Sequence, residues 1–515
     1  MTKLISISIQ LAGVFTLAAS APATESSGER IVTTRHQIKV GQKMLRYTAR
    51  AGLLPIRRNE TGEIHGHMFF IAYLLDRLPN EPARPLTFLW NGGPGANSTL
   101  VHLSGFGPKR IKSSDDPAET PDCECELEDN QTSWFDQTDL VFVDPIGTGF
   151  SRPTKAEYAS EFYNTLGDIA SVAEFVRVYL TRFDAWDAPL FIGGESYGVW
   201  RAAGVAEALA QRGRKIAGVI LISGGVPVGP VLSDEMRAAL FIPTRAAAAF
   251  FHKKLPPDLQ TDLASALEKA ETWARKEYAP ALAKRDKLSE SERQTIIAQL
   301  ARFTGLDASL IDRQTLIVAR RQFAEQLLRD RKQALGRFDT RQIDGAESRP
   351  RAERDLVINK YLRSTLKFKT DLAYQGVEEG FSPNTGGRGL SVGARWDYNQ
   401  GPPPPPGATP NTDAPPGGSQ PWLRRAMAID PSLKAFVAAG LYDSLNSCAG
   451  NDYLVSQLEP ELKRNITARC YEGGHAMYES PDARRQLKQD ISKFIQDTVG
   501  GRPRPRGPRP RDARP

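Results

Sequence analysis

A serine in a glycine-flanked turn is the residue of this sequence best suited to chemistry. Ser196 is the centre of Gly194-x-Ser196-x-Gly198, the pattern of a nucleophile elbow, in which a serine lies on a tight turn between a strand and a helix. Residues 189–192 are apolar enough for a buried parallel strand, and residues 199–212 are rich in Ala and Leu, which predicts a helix. Glycine lets the backbone turn sharply and lets neighbouring elements pack closely. The pattern therefore predicts a nucleophilic serine held above the edge of a sheet.

A serine hydroxyl becomes a good nucleophile when a base takes its proton and a carboxylate orients that base. On a strand–turn–helix scaffold of this kind the order along the chain is serine, acid, histidine. Asp443 directly follows a strand-like segment, and His475 follows the next one in a glycine-flanked loop; of six histidines it alone lies after Asp443. The competing acid, Asp452, falls at the start of a predicted helix. We therefore predict that Ser196, Asp443 and His475 form a catalytic triad.

Acyl transfer also needs two backbone N–H donors aimed at the oxygen on which negative charge develops. One is expected from Tyr197, the residue after the nucleophile. The other is expected from the turn Asn91-Gly92-Gly93-Pro94-Gly95, which ends an early strand. Glycines in that turn allow the backbone to approach a substrate without a side-chain clash.

The elements that must position these residues alternate between strand and helix patterns. Strands are predicted within 30–51 and 62–75, at 85–90, 139–144 and 216–222, and again at 434–439 and 466–471. Helices are predicted at 161–183, 451–464 and 481–499. Between the strands at 216–222 and 434–439, helical patterns follow one another at 244–254, 257–284, 289–303, 313–335 and 352–366. This order predicts an α/β fold with a mostly parallel central sheet flanked by helices and an inserted helical cap.

The same pass along the chain predicts its domain organisation. Lys3, an apolar middle and a small-residue cleavage site give the amino terminus the layout of a secretory signal, which predicts a secreted or periplasmic protein. Residues 401–421 are proline-rich, and the last fifteen residues, made largely of Arg, Pro and Gly, are expected to be disordered. The predicted parts are a signal peptide at 1–23, the first part of the core at 24–232, the cap and proline-rich loop at 233–425, the second part of the core at 426–499, and a basic tail at 500–515.

Three motifs together are similar to those of a known family. They are Trp90-Asn91-Gly92-Gly93-Pro94-Gly95, Val141-Phe142-Val143-Asp144-Pro145-Ile146-Gly147-Thr148-Gly149-Phe150-Ser151 and Gly194-Glu195-Ser196-Tyr197-Gly198. The chain resembles a serine carboxypeptidase of the α/β-hydrolase fold, over about residues 30–230 and 430–498. The resemblance implies a secreted, bacterial-type member with Ser196, Asp443 and His475 as the triad. It also implies that the amides of Gly93 and Tyr197 form the oxyanion hole.

The resemblance further implies how a free carboxy terminus is chosen. In the family, an Asn and a Gly of the early loop, the Glu before the nucleophile, and a second Glu shortly before a Gly-Pro bind the terminal carboxylate. Protonated acids hold that carboxylate, which favours an acidic working pH. Three residues match the first three positions: Asn91, Gly92 and Glu195. Counted to Gly107-Pro108, the place of the second Glu is taken by Gly105, with His102 and Ser104 nearby, and this departure bears on exopeptidase specificity.

Composition limits the other classes of function. The net charge of +7 includes +1 from Lys3 and +5 from the tail, which leaves about +1 for the body, so charge indicates neither a nucleic-acid partner nor a membrane surface. No later stretch is apolar for long enough to be inserted in a membrane. We expect a peptide substrate and no cofactor, and no oligomeric state follows from the sequence.

The four cysteines are few for an exported chain. Cys448 and Cys470 could pair, whereas a bridge between Cys123 and Cys125 would be strained but is not excluded. Their spacing offers too few ligands for a metal site, so we expect none.

These residues allow three functions. The first is a secreted carboxypeptidase that acts through an acyl-enzyme. The second keeps the triad but is a serine esterase or acyltransferase, and it is motivated by Gly105 at the place of the second Glu. The third, a non-catalytic binding protein on a hydrolase scaffold, is disfavoured by the complete triad.

Overall fold

The computed structural model describes residues 31–78, 81–112, 126–344, 351–378, 391–398 and 420–500. The predicted signal peptide, Cys123, Cys125, most of the proline-rich stretch and the basic tail beyond residue 500 lie outside the described residues.

A ten-stranded mixed sheet is the central element. Its strands are β1 Ile31–Val40, β2 Lys43–Arg57, β3 Ile64–Leu75, β4 Leu86–Trp90, β7 Asp139–Asp144, β8 Arg152–Pro153, β9 Leu190–Glu195, β10 Gly218–Ile222, β11 Lys434–Gly440 and β12 Ile466–Tyr471, while β5 Lys109–Ile111 and β6 Leu127–Asp129 form a separate hairpin-like pair. The spatial order is β1-β2-β3-β7-β4-β9-β10-β11-β12, with β8 paired to β3. Six neighbouring strands are mutually parallel, in the spatial order β7-β4-β9-β10-β11-β12. Strands β1 to β3 are antiparallel to their neighbours and lie at one side of the sheet. The predicted α/β class is confirmed.

Helices cover both faces of the sheet. The core helices are α1 Ala159–Phe162, α2 Thr165–Arg182, α3 Gly198–Ala210, α11 Trp422–Ile429, α12 Cys448–Ser456, α13 Pro460–Lys463 and α14 Pro481–Gly500. Apolar residues of α2, α3 and α11 pack on one face, and those of α14 pack on the other. The central strands β4, β9 and β10 are buried along their whole length, which is why their sequences are continuous apolar runs rather than alternating ones.

The direction of the chain changes at β4 and β9. From β4 the chain leads to β7 on one side, whereas from β9 it leads to β10 on the other side, so the loops after these neighbouring strands diverge. In open α/β sheets, a crevice at the carboxyl ends of such a pair is the usual place for a ligand. The loop that begins at Asn91 and the turn at Ser196 both lie at this point.

A block of helices between β10 and β11 has an apolar core of its own. It contains α4 Asp234–Ala239, α5 Ile242–Phe251, α6 Leu263–Trp273, α7 Ala279–Ala283, α8 Glu290–Thr304 and α9 Arg320–Gln326, and its buried side chains extend from Ala239 to Leu335. A π-helical turn, Ala274–Tyr278, joins α6 to α7. The predicted helices at 244–254 and 289–303 correspond to α5 and α8.

Two predicted helices were too long. The helix expected at 313–335 is reduced to α9 and a single turn, Arg329–Arg331. The reason is local, because the Asp312 carboxylate accepts hydrogen bonds from the amides of Gln314 and Thr315, and Leu316 takes a left-handed conformation with φ of 56°. The helix expected at 451–464 is divided into α12 and α13, with Pro460 at the start of the second.

The end of the predicted cap segment packs on the central sheet. Helix α10 Arg351–Lys360 and the turn Tyr361–Thr365 contribute Ile358 and Leu362 to the core beneath the sheet rather than to the core of the cap. Helix α11, which was not predicted, crosses the expected boundary between residues 425 and 426 and packs on α3. None of the helices in the described ranges is long and apolar enough to cross a membrane.

A disulfide joins the start of α12 to the last part of β12. It connects Cys448 with Cys470, whose Cα atoms are 5.5 Å apart, as the sequence had allowed. Helix α12 follows the loop that carries Asp443, and β12 precedes the loop that carries His475, so the bridge links the elements next to these two loops.

Candidate active site

The carboxyl ends of the parallel strands bring the predicted residues to one edge of the sheet. The amide of Ser196, after β9, donates to the carbonyl of Ile222 at the end of β10 over 2.8 Å. The amide of Ser223, one residue further, donates to the carbonyl of Ala438 in β11 over 2.8 Å, and its hydroxyl donates to the carbonyl of His475 over 2.6 Å. A continuous set of hydrogen bonds therefore connects the serine turn with the loop of the histidine.

The turn at Ser196 has the backbone of a nucleophile elbow. Ser196 has a φ of 58°, an uncommon left-handed conformation for a residue with a side chain. The turn is so tight that a Cβ on Gly194 would lie 2.0 Å from the carbonyl oxygen of Gly198, and one on Gly224 would lie 2.3 Å from that of Ser196. Glycine at these positions is therefore a steric requirement of the turn.

Asp443 and His475 form a buried hydrogen-bonded pair. Nδ1 of His475 lies 2.8 Å from Oδ2 of Asp443, whose side chain is fully buried. The amide of Leu445 and the side-chain amide of Asn446 also donate to this carboxylate, over 2.8 and 2.9 Å, and so fix its orientation. Nε2 of His475 is thereby left for a second partner, as in a general base oriented by an acid.

The hydroxyl of Ser196 makes no hydrogen bond to any described residue, and this includes His475. Nucleophile–base hydrogen bonds are often long in unliganded enzymes and tighten when substrate binds. The competitor Asp452 lies in α12, where its surroundings include Glu271 of the cap and Arg469. The structure thus pairs His475 with Asp443 rather than with Asp452.

The electrostatics of His475 follow from its neighbours. Burial disfavours the protonated imidazole, but the carboxylate of Asp443, by charge and hydrogen bond, and then that of Glu195, outweigh burial and raise the pKa of His475 above its usual value. Arg337 of the cap acts in the opposite direction. The ring of Phe338, which is 54% exposed, lies 5.4 Å from the imidazole between ring centroids. Sequence analysis did not single out these two cap residues.

The loop and the elbow that carry the predicted oxyanion donors are in direct contact. A Cβ on Gly92 would lie 2.5 Å from the amide nitrogen of Tyr197, so the early loop packs directly on the elbow, and Gly93 has a φ of 100° that favours glycine. The amides of Gly92, Gly93 and Tyr197 donate no hydrogen bond to any residue that the structure describes. Backbone donors of this kind are those that a developing oxyanion requires.

A buried ion pair holds this loop in place. Nε of Arg201, in α3, donates to the Asp168 carboxylate of α2 over 2.8 Å, and Nη1 donates to the carbonyl of Asn91 over 2.7 Å. Arg201 and Asp168 are almost completely buried. The indole of Trp90 also donates to the carbonyl of Gly198 over 2.9 Å. The loop is therefore fixed to the helix that follows Ser196.

Glu195, the residue before the nucleophile, is a buried acid with two partners. The side-chain amide of Asn91 donates to its Oε1 over 3.2 Å, and the hydroxyl of Tyr478 donates to its Oε2. Burial is the largest influence on this carboxyl and raises its pKa to about 7, although the nearby His475 acts in the opposite direction. At mildly acidic pH, Glu195 is therefore a neutral acid that can donate a hydrogen bond.

His102 and Gly105 differ in what they contact. The Nε2 of His102 is 2.6 Å from the hydroxyl of Tyr73, and burial lowers the pKa of His102 to about 3, so the ring is neutral and belongs to the core beneath the sheet. Gly105 instead faces the ring of Tyr478. In the described part of the chain, no group of three or more His, Cys, Asp or Glu residues could hold a metal ion.

The fold and this edge of the sheet define an α/β-hydrolase. The family model described as serine carboxypeptidase matches residues 41–326, more than half of the chain. The chain therefore belongs to the serine carboxypeptidase family.

Individual relatives match shorter parts. The pheromone-processing carboxypeptidase kex1 of Talaromyces marneffei is 32% identical over 157 residues, 30% of this chain and 22% of that protein. The KEX1 protein of Colletotrichum graminicola is 30% identical over 208 residues, 39% of this chain and 30% of that protein. The matches thus span less than a third of these curated relatives. Both are fungal, and they lend no support to the expected bacterial type.

A solved structure supports the fold over most of the chain. The prohormone-processing carboxypeptidase KEX1(delta)p of Saccharomyces cerevisiae aligns with a TM-score of 0.51 and 16% identity, and the alignment covers 88% of this chain and 92% of that one. At this identity the likeness concerns the fold.

The role of Arg201 can be tested by removing its charge. Arg201→Met leaves the Asp168 carboxylate buried without its partner, so we expect the free energy of unfolding to fall by about 3–5 kcal/mol. Adding Asp168→Leu removes the unpaired charge and should recover most of that loss. Urea unfolding of the wild type, both single variants and the double variant measures this; equal losses in Arg201→Met and in the double variant would contradict it.

Proposed function

We propose that this protein is a secreted serine carboxypeptidase, which releases carboxy-terminal residues from peptides through an acyl-enzyme. The observation that carries the proposal is the combination at one sheet edge of a serine on a left-handed turn, a buried His–Asp pair, and a buried acid one residue before the serine. Family membership supports the hydrolytic class. Secretion rests on the signal-like amino terminus.

In the proposed reaction, the hydroxyl of Ser196 attacks the carbonyl carbon of the last peptide bond while His475 takes its proton. The oxyanion accepts hydrogen bonds from the amides of Gly93 and Tyr197. His475 then gives the proton to the leaving amine, the C–N bond breaks, and the carboxy-terminal residue departs. Water attacks the acyl-enzyme with His475 again as the base, which releases the shortened peptide and restores Ser196.

The proposed selection of a free carboxy terminus depends on Glu195. A protonated Glu195, held by Asn91, can donate a hydrogen bond to the terminal carboxylate of the substrate, whereas an ionised Glu195 would repel it. Gly92 lies next to Asn91 on the same loop and can contribute its amide. An amidated terminus carries no negative charge and gains little from this arrangement.

The proposal is tested with blocked dipeptides that have either a free or an amidated carboxy terminus. We expect release of the last residue from the free form near neutral pH, with far slower release from the amide. Ser196→Ala should reduce kcat by about 10⁴-fold or more, which leaves only the contribution of binding and the oxyanion hole. Absence of any release from the free form by the wild type would contradict the proposal.

The pKa shifts predict two pH limits. His475 must be neutral to accept a proton, so kcat/KM should fall as the pH drops through its raised pKa. Glu195 must be protonated to bind a carboxylate, so KM for the free peptide should rise about tenfold per pH unit above its pKa of about 7. A Glu195→Gln variant, which cannot ionise, should lack the second limit, as should a matched ester without a free carboxylate. An unchanged alkaline limit in Glu195→Gln would refute the assignment.

An esterase or acyltransferase on the same triad is the second candidate, and Gly105 at the place of the family's second Glu favours it. Turnover of an ester without any turnover of the matching peptide would support this alternative over the first.

A further inference from the structure

The side chain of Tyr478 faces Gly105 and also donates a hydrogen bond to Glu195. A Cβ at Gly105 would lie 3.4 and 3.5 Å from two ring carbons of Tyr478, so the space in front of this glycine is occupied by the tyrosine ring. The hydroxyl of the same tyrosine donates to Oε2 of Glu195. Gly105 is the position at which the family resemblance expects a second glutamate. Tyr478 therefore connects the position of the missing acid with the acid that remains.

We propose that Tyr478 is a positioning residue for recognition of the substrate's terminal carboxylate. It orients Glu195 by a hydrogen bond, and in this way it takes over the role that the second glutamate has in the family. The inference rests on the proposed carboxypeptidase function. It adds that, among the residues the structure describes, one acid, Glu195, is placed to bind the substrate's carboxylate, where the family pattern has two.

The position of Tyr478 is well fixed. It lies in the one-turn helix Met477–Glu479, three residues after His475, and its side chain is fully buried. Its ring makes an edge contact with Phe106, with 4.9 Å between ring centroids. The same short segment therefore carries the predicted base and the anchor of Glu195. A displacement of His475 would therefore also displace Tyr478, and a displacement of Tyr478 would displace His475.

A tyrosine hydroxyl suits this role in a way that a second carboxyl does not. It can donate to an ionised Glu195 and can accept from a protonated one. Burial, together with the charge of Glu195, raises the pKa of Tyr478 well above its usual value, so the hydroxyl keeps its proton throughout the working range. Two carboxyl groups in contact would have to share a proton, and their protonation would be coupled.

Several groups determine the charge state of Glu195. Asn91 and Tyr478 contact its carboxyl, and three further ionisable groups face it: His475, Glu479 and Asp443. Glu479 and Asn91 also face Tyr478. Because the hydrogen bond from Tyr478 lowers the pKa of Glu195, its removal should shift the ionisation of Glu195 to higher pH.

The test measures ligand binding rather than turnover. N-Benzoyl-leucine, N-benzoyl-lysine and N-benzoyl-aspartate, each with its carboxamide, are titrated calorimetrically into the Ser196→Ala protein with and without Tyr478→Phe, between pH 5 and 9. We expect Tyr478→Phe to reduce the preference for free acid over carboxamide about tenfold, because the carboxyl of Glu195 loses a hydrogen bond that fixes its orientation. The midpoint of the pH dependence should move upward. A tyrosine that only fills space would leave both the preference and the midpoint unchanged, and that result would overturn the proposal.

A second variant tests whether a glutamate at position 105 can take over the role of Tyr478. Gly105→Glu together with Tyr478→Ala exchanges the tyrosine for a carboxyl at the family's position, and Gly105 has no left-handed backbone that would prevent it. We expect the double variant to bind free acids better than Tyr478→Ala alone, with a steeper pH dependence that reflects two coupled acids. Equal binding by the two variants, when both unfold cooperatively like the wild type, would contradict the inference.

The binding result is separate from the peptidase assay. If wild-type protein released no residue from free dipeptides, the proposed function would fail. A tyrosine-dependent preference for free acids in the Ser196→Ala protein would still establish a carboxylate site. The converse result, peptidase activity with no effect of Tyr478→Phe, would leave the function and remove this inference.

Discussion

The left-handed turn at Ser196 is the constraint on which the site depends. A residue with a side chain adopts this conformation at an energetic cost, and it persists only where the surroundings over-determine it. Here the amide of Ser196 is held by the carbonyl of Ile222, and Gly194, Gly198 and Gly224 allow the backbone segments to approach within contact distance. The turn then brings three features together at the end of β9: the serine, the amide of Tyr197 and the carboxyl of Glu195.

The cap contacts the loops of Asp443 and His475 through residues 338–340, which follow its apolar core. The amide of His475 donates to the carbonyl of Phe338 over 2.6 Å, and both the amide and the hydroxyl of Thr340 lie 3.0 Å from the carbonyl of Tyr442. The loops that carry Asp443 and His475 are therefore fixed in part by a segment that belongs to neither strand. Phe338 and Arg337 are accordingly cap residues that lie close to His475.

Sequence was informative where the requirement is local or fixed by chain order. The glycine-flanked serine needs only its neighbours to be recognised, and the buried strands β4, β9 and β10 are continuous apolar runs. Roles that depend on distant residues could not be predicted. Arg201 reads as an ordinary helical arginine until Asp168, in another helix, is seen beside it. The anchoring of Glu195 by Tyr478 likewise requires positions 195 and 478 to meet. The helix predicted at 313–335 was too long because the carboxylate of Asp312 accepts hydrogen bonds from backbone amides at its start.

The most direct measurement of the central claim is covalent labelling with a fluorophosphonate, followed by intact mass and peptide mapping. We expect one label per chain, on the peptide that contains Ser196, at a rate that falls about 10³-fold or more in His475→Ala because the base is lost. A smaller fall is expected in Asp443→Asn, whose histidine keeps its place but loses the orienting charge. Labelling at another residue, or labelling of His475→Ala as fast as the wild type, would contradict the account.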